Sequence, residues 1–194
     1  MLFNSYIFVF IFLPIVYFIF RLSSRFNSNV SLAILIMSSL IFYSYWNIYN
    51  IFIILSSLLL NYIIGTTIIK SSFNYIRKIV YALGILFNLG IIFYYKYFDF
   101  FINDVLSIPI GDFDTASIIL PLAISFFTFQ QITFLSDCYR RQVNSVPILN
   151  YLLYITFFPQ LIAGPIVRFK DMSSQYSCKI FSTYNHRSVS CGIF

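Results

Sequence analysis

The sequence predicts an all-α fold: a polytopic integral membrane protein with about five spanning helices and one broken or re-entrant segment. Three observations carry that prediction. Of 194 residues, 60% are hydrophobic and only 9% are charged, whereas a soluble domain carries about 25% charged residues around its core. The mean hydropathy of +0.86 leaves too little polar surface to clothe a water-facing globule, so part of the solvent is lipid. The apolar residues also fall into long runs separated by short, polar and mostly basic connections.

Each run can be justified in turn. About twenty apolar residues cross the hydrocarbon at 1.5 Å rise each. Residues 2–20 qualify and end at Arg21 and Arg25; they lack a basic leader and a small-residue cleavage site, so they read as a retained first span. Residues 30–46 follow, then the polar knot "WNIYN", then a third run at 51–69. Lys70, Arg77 and Lys78 bracket the next loop, and a fourth run at 79–95 stops at Lys96. Residues 97–117 change character: Asp99, Asp104, Asp112 and Asp114 are four of the chain's six acids, and Pro109 and Gly111 mark a loop. The fifth run, 118–135, leads to Asp137, Arg140 and Arg141. The sixth, 148–167, holds Pro159, Gln160, Gly164 and Pro165, after which the chain turns polar beyond Met172. No soluble domain or fixed-period repeat is visible, and residues 1–194 read as the N-terminal part of one membrane domain.

The charges orient these runs. The first, third and fifth connections carry Arg and Lys, the second is neutral and the fourth is acidic. Basic residues favour the cytoplasmic side, so five runs alternate with the N-terminus outside and the chain in the cytoplasmic membrane. A sixth full span would strand Arg168, Lys170, Lys179 and Arg187 outside. A segment that dips in and returns repairs the pattern. Non-helical backbone at such depth is tolerated only inside protein or beside a watery cavity. Pro159 removes a donor and the Gly164–Pro165 pair favours a bend, so the break predicts an interior site. A kinked span with a basic outer loop is the other reading.

Composition also excludes chemistry. The net charge of +6 is spread over basic residues that flank apolar runs, which suits a bilayer partner and not nucleic acid. The chain has no Glu and 22% aromatic residues, a bias that an AT-rich genome produces without a function. Cys138, Cys178 and Cys191 show no metal-ligand spacing. Ser125 and Thr128 lack a base within sequence reach and suit bonds to their own helix.

Two interrupted runs carry recognisable wording. "LPLAISFFTFQQITFLSDCYR" (120–140) and "FFPQLIAGPIVRFKDM" (157–172) resemble the two signatures of bacterial membrane-bound O-acyltransferases of the alginate O-acetylase type. "FYSYW" (42–46), "NYIIG" (61–65) and "YYKYFDFF" (94–101) fall in the expected order, so the resemblance covers essentially the whole chain. Three positions depart from the pattern: Ala123 stands where Gly is usual, Phe134 where Tyr is usual, and Arg141 where Gly often follows the arginine. The resemblance implies transfer of an acyl group, usually acetyl, from a thioester such as acetyl-CoA or an acyl carrier. The thioester is a co-substrate, and no bound cofactor is implied. The acceptor is a hydroxyl of a cell-surface polysaccharide or cell-wall polymer, or a partner acyltransferase protein relaying to one. It also implies a catalytic histidine in a later segment near an "RRWH" stretch. His186 in "TYNHRS" does not match that stretch, so no catalytic residue is assigned and the chain is expected to be inactive alone.

Hydroxyl and thioester meet across a membrane, and a general base must take the hydroxyl proton. A cavity reaching the midplane is therefore required, and interior polar residues are its candidates. Gln160, Gly164, Pro165 and Arg168 are candidate cavity-lining or donor-contacting residues, with Arg168 placed to hold donor phosphates or to anchor the segment. Gln130, Gln131, Asp137 and Arg140 are candidate structural residues: the glutamines as interhelical glue, Asp137 and Arg140 as a local ion pair. Two other classes stand beside the enzyme. A transporter subunit also uses broken helices but predicts an internal repeat, and a truncated, non-catalytic membrane protein predicts a reading frame that stops at Phe194.

Overall fold

The computed structural model describes residues 5–24, 28–45, 48–98, 123–164 and 167–177. Helices account for nearly all of them, and no strand occurs among the described residues. A π-helical turn, Phe8–Phe12, leads into α1, Leu13–Ser23. Pro14 lies in the first turn of α1 and has no N–H to give, and in the π turn the Leu13 N–H reaches back to the Phe8 carbonyl. Then come α2 (Ser28–Ser44), α3 (Ile48–Lys70) and α4 (Asn74–Ile92), the last running into a second π turn, Phe93–Tyr97. The fifth helix, α5, is Ile124–Tyr139, and three short helices follow: α6 (Ile148–Thr156), α7 (Phe158–Ala163) and α8 (Phe169–Ser177).

The all-helical membrane architecture agrees with the sequence reading. Asn50–Lys70 and Asn74–Tyr97 are each long and apolar enough to cross a bilayer unaided, while Phe8–Ser23 and Asn29–Ser44 are shorter apolar helices. The acidic stretch 97–117 lies almost wholly outside the described residues, as do Cys178, His186 and Cys191.

The distribution of side chains is inverted relative to a soluble protein. Leu86 and Phe52 are 67% and 68% exposed, while Asn61, Asn88, Gln130 and Gln131 are fully buried. Large apolar groups facing outward and amides facing inward are what a lipid solvent selects, because lipid rewards no apolar burial and offers no hydrogen bonds.

Close approach between helices rests on two glycines. A Cβ on Gly65 of α3 would lie 2.5 Å from the ring of Phe134 in α5. A Cβ on Gly84 of α4 would meet Leu135 of α5 at 2.8 Å and Ile64 of α3 at 3.0 Å. Small residues let α3, α4 and α5 pack as one unit, and α4 with α5 is the most extensive helix pair. One end of that unit is locked by aromatic stacking. Tyr81 lies flat on Tyr139, centroids 4.6 Å apart, and its hydroxyl meets Ser136 Oγ at 2.9 Å. The Arg77 guanidinium lies over the same Tyr139 ring and donates to the Tyr139 carbonyl at the end of α5. Arg77, a loop-bracketing charge from sequence, is thus a buried cap on a neighbouring helix.

Both ends of α5 carry a left-handed residue. Ala123 precedes it with φ 57° and Arg141 follows it with φ 55°. At the C-terminal end the Gln142 N–H bonds the Asp137 carbonyl (3.0 Å) and the Arg141 N–H bonds the Cys138 carbonyl (3.2 Å). This is a Schellman closure, whose left-handed position favours glycine. These are the same two positions where the sequence departs from the resembled glycine pattern.

Candidate functional site

The sixth apolar run is broken in the structure. α6 stops at Thr156, Phe157 leaves the helix with ψ 105°, and α7 runs only from Phe158 to Ala163 before Gly164 becomes extended at ψ 154°. Pro159 supplies the reason: continuing α6 would drive its ring into the Ile155 carbonyl and lose a hydrogen bond, whereas the first turn of a new helix accommodates it. The freed backbone does not go unpaired. The Phe158 N–H reaches Ser39 Oγ of α2 at 3.4 Å, and the Gly164 N–H bonds the Gln160 carbonyl at 2.9 Å. The Phe158 ring is seated among Phe8, Phe12 and Phe42, with centroids 5.6 to 5.9 Å away. Protein thus lines the break on both sides, as non-helical backbone at membrane depth requires.

The segment then turns back. α6 rises alongside α2, with Leu153 against Leu32 and Ile36. Beyond the break, the Val167 carbonyl accepts from the Tyr154 hydroxyl at 2.9 Å. The Phe169 ring packs on Phe134 (5.3 Å) and on Tyr154 (5.4 Å), and Arg168, Lys170 and Asp171 bring their charges near the Asp137 carboxylate. The chain that left α5 at Tyr139 has therefore returned to within a turn of the same point. Of the two sequence readings for 148–167, the structure takes the returning one. The helix α8 that follows spans the end of the quoted signature and the start of the stretch read from sequence as polar beyond Met172. It is held by buried Phe169, with Met172 packed on the same core, and the Arg168 carbonyl accepts the first N–H groups of its opening turn, from Asp171 and Met172.

Two polar faces of α5 meet this framework differently. Gln131 faces α3, where its Oε1 accepts from Ser57 Oγ (2.8 Å) and Asn61 Nδ2 (2.9 Å). Asn61 in turn pairs with Asn88 of α4: Asn88 Nδ2 donates to Asn61 Oδ1 at 2.6 Å and Asn61 Nδ2 to Asn88 Oδ1 at 3.2 Å. This network ties three helices at one depth. Gln130, Thr133 and Asp137 recur at three- and four-residue spacing on a second face. There Thr133 Oγ1 meets the Tyr154 hydroxyl at 3.2 Å, and that hydroxyl also approaches the Gln130 carbonyl (3.5 Å). Both side-chain atoms of the Gln130 amide are buried without a partner, as is Asp137 Oδ2.

The predicted residues are thus distributed as follows. Gln160 is buried in α7, Gly164 is partly buried at the end of it, and Arg168 is exposed; Pro165 lies outside the described residues. Gln131 joins the interhelical network, while Asp137 turns toward α8 with Arg168, Lys170 and Asp171 as its nearest charges. Arg140 is exposed, and the charges that act on the Asp137 carboxylate are those of Arg168, Lys170 and Asp171 and not that of Arg140. Thr128 bonds its own helix at the Ile124 carbonyl (2.6 Å). Sequence reasoning passed over Ser39, Asn61, Asn88 and Tyr154. The two asparagines had a signal, being polar residues in the middle of apolar runs; Ser39 and Tyr154 had none, since each takes its role from a distant partner. No cluster of three or more metal-ligating side chains occurs among the described residues.

Comparison with known proteins adds the following. Residues 127–194 match the model of MBOAT, the membrane-bound O-acyltransferase family. That match opens in α5 and includes the whole broken segment. The chain is 34% identical, over its full length, to a peptidoglycan O-acetyltransferase of Helicobacter pylori, of which it covers 42%. It is 30% identical over 91% of its length to a probable alginate O-acetylase of Pseudomonas aeruginosa, covering 35% of that protein. It is 29% identical to the corresponding protein of Azotobacter vinelandii, again over 91% of the chain and covering 36% of the relative. The chain thus spans less than half the length of these curated relatives. No solved structure matches it.

Proposed function

Because the chain belongs to the membrane-bound O-acyltransferase family, we propose that it is the N-terminal part of an enzyme that transfers an acyl group, acetyl by analogy with its relatives, from a thioester to hydroxyls of a cell-surface polysaccharide or cell-wall polymer. The observation that carries this reading is the returning break at Thr156–Gly164, stitched to α2 by Ser39 and to α5 through Tyr154 and Phe169. A broken element enclosed by protein builds an interior in a membrane, and acyl transfer between compartments needs one.

In the proposed reaction the acceptor hydroxyl oxygen attacks the thioester carbonyl. A carbon–oxygen bond forms, the carbon–sulfur bond breaks, and the hydroxyl proton passes through a general base to the departing sulfur. This chain's contribution is the enclosure: Gln160 and Gly164 at the break and Arg168 at the rim, with Pro165 the next residue in sequence after Gly164. Arg168 is exposed at the end of the bundle that also carries Lys70, Arg77, Arg140, Arg141 and Lys170. An anionic acyl donor such as acetyl-CoA or an acyl carrier would meet positive charge there. With the N-terminus outside, that end is cytoplasmic, where such donors are made.

The test compares cells with and without the gene for ester-linked acetate on their envelope polymers. Loss of the ester in the deletion strain and its return on complementation is the expected result; an unchanged ester content in every envelope polymer overturns the reading.

A further inference from the structure

From the neighbouring glutamines of α5 we infer a division of labour: Gln131 fastens helices, whereas Gln130 is a ligand-binding residue whose carboxamide receives a neutral hydroxyl group inside the membrane. This rests on the acyl-transfer reading for the identity of the hydroxyl, but not for the existence of the site.

The two side chains are neighbours in sequence and differ at the side-chain oxygen and in the face of α5 they occupy. Both are fully buried. Both leave Nε2 unpaired, but Gln131 has its oxygen shared between Ser57 and Asn61, whereas the Gln130 Oε1 is unpaired as well, so that no atom of its amide is bonded within the fold. Leaving an amide donor and acceptor unpaired costs on the order of 1–3 kcal/mol each, and lipid offers no compensation. A leucine or methionine would fill the position without that cost, so the amide answers to something other than packing.

The surroundings define the chemistry. Gln130 lies on the face of α5 turned to the broken segment, where the Tyr154 hydroxyl bridges Thr133, the Gln130 carbonyl and Val167. Two turns along the same face, Asp137 keeps Oδ2 unpaired. A free donor beside a free acceptor suits a group that both donates and accepts, which a hydroxyl does and a carboxylate or phosphate does not. A carboxylate further along the strip disfavours an anion as well. The hydroxyl can belong to an alcohol-bearing acceptor or to water, and the two are separable.

The first arm measures access. In a background of Cys138→Ala, Cys178→Ser and Cys191→Ser, Gln130→Cys is exposed in native membranes to a small water-soluble methanethiosulfonate, with Leu135→Cys on the α4 side of the helix as control. Thiolate reactivity follows access, so Gln130→Cys should react roughly tenfold faster than the control. Equal, slow reaction at both positions overturns the site. A second arm asks whether the amide is bonded within the fold. Gln131→Met should lower the unfolding temperature more than Gln130→Met does; the reverse order overturns the division of labour. A third arm assigns the hydroxyl. If Gln130→Met, made in the full-length enzyme, lowers kcat/KM for the acceptor about tenfold, the loss expected for one hydrogen bond of about 1.4 kcal/mol, the acceptor alcohol is the ligand. Unchanged transfer with fast labelling assigns water. Should the full-length enzyme that contains this chain transfer no acyl group, the functional reading falls, while the labelling and unfolding arms still decide the site.

Discussion

At the scale of single residues, backbone conformation explains what the bare sequence could only mark as irregular. Ala123 and Arg141 stand where the resembled pattern has glycine, and both are left-handed, at φ 57° and 55°. An L-residue held there costs roughly 1–2 kcal/mol. Ala123→Gly and Arg141→Gly should therefore each raise thermal stability in detergent by about 1 kcal/mol, partly offset by the freer unfolded chain; a fall in unfolding temperature for both would contradict the assigned backbone. Glycines inside the helices separate in the same way. Gly65 faces the Phe134 ring, which Tyr151 and Phe169 hold from other sides, so Gly65→Ala should destabilise by about 1–3 kcal/mol through overpacking. Nothing lies within 4 Å of a Cβ built on Gly90, so Gly90→Ala should be neutral or stabilise by up to about 1 kcal/mol. Equal effects at the two sites would show that α3 and α5 do not approach as described. None of this was legible beforehand, because a glycine in an apolar run looks the same whether it meets a ring or open lipid.

Among the elements, the broken segment was legible and its fastening was not. Pro159 and Gly164 announce a break in any reading of the sequence, since neither suits the middle of a helix. Which groups would repair the break depends on Ser39 and Phe42, more than a hundred positions away. Ser39→Ala removes the partner of the Phe158 N–H and should cost about 1 kcal/mol. Phe158→Ala empties the seat among Phe8, Phe12 and Phe42 and should cost roughly 3–5 kcal/mol. The segment should then become sensitive to protease before α3, α4 and α5 do. Simultaneous loss of all parts would mean that the segment has no separate stability of its own. The helix α8 escaped prediction because its core contacts are Phe169 and Met172 only; two apolar anchors in a polar stretch are too few for a period to be detected.

Across the whole molecule, the charge alternation read from sequence and the packing agree on one arrangement. α4 begins with Arg77 against the end of α5, α3 ends with Gly65 against the same region, and α8 returns Phe169 to Phe134 of α5. Lys70, Arg77, Lys78, Arg140, Arg141, Arg168 and Lys170 consequently share one end, and Lys96 lies at the other. Single cysteines placed at Ser71 and Lys170 should be labelled from the same side of the membrane, and one at Lys96 from the opposite side. Labelling of Lys170→Cys from the Lys96 side alone would sink the returning segment. Chain composition was enough for membrane residence and for the order of the helices. It could not distinguish Gln130 from Gln131, because burial, pairing and direction belong to the assembled bundle.

The returning segment also sets an order of events during synthesis. At 1.5 Å per residue, α6 extends only about 14 Å, too short to be handed to lipid as a span in its own right. The acceptor for the Phe158 N–H that follows it and the seat for the Phe158 ring are supplied by helices made much earlier. The segment must therefore wait at the membrane surface until α1 to α5 have gathered, and only then fold into the opening they leave. Mutations in α2 that leave its own insertion untouched, Ser39→Ala among them, would then delay the maturation of a segment the ribosome makes long afterwards.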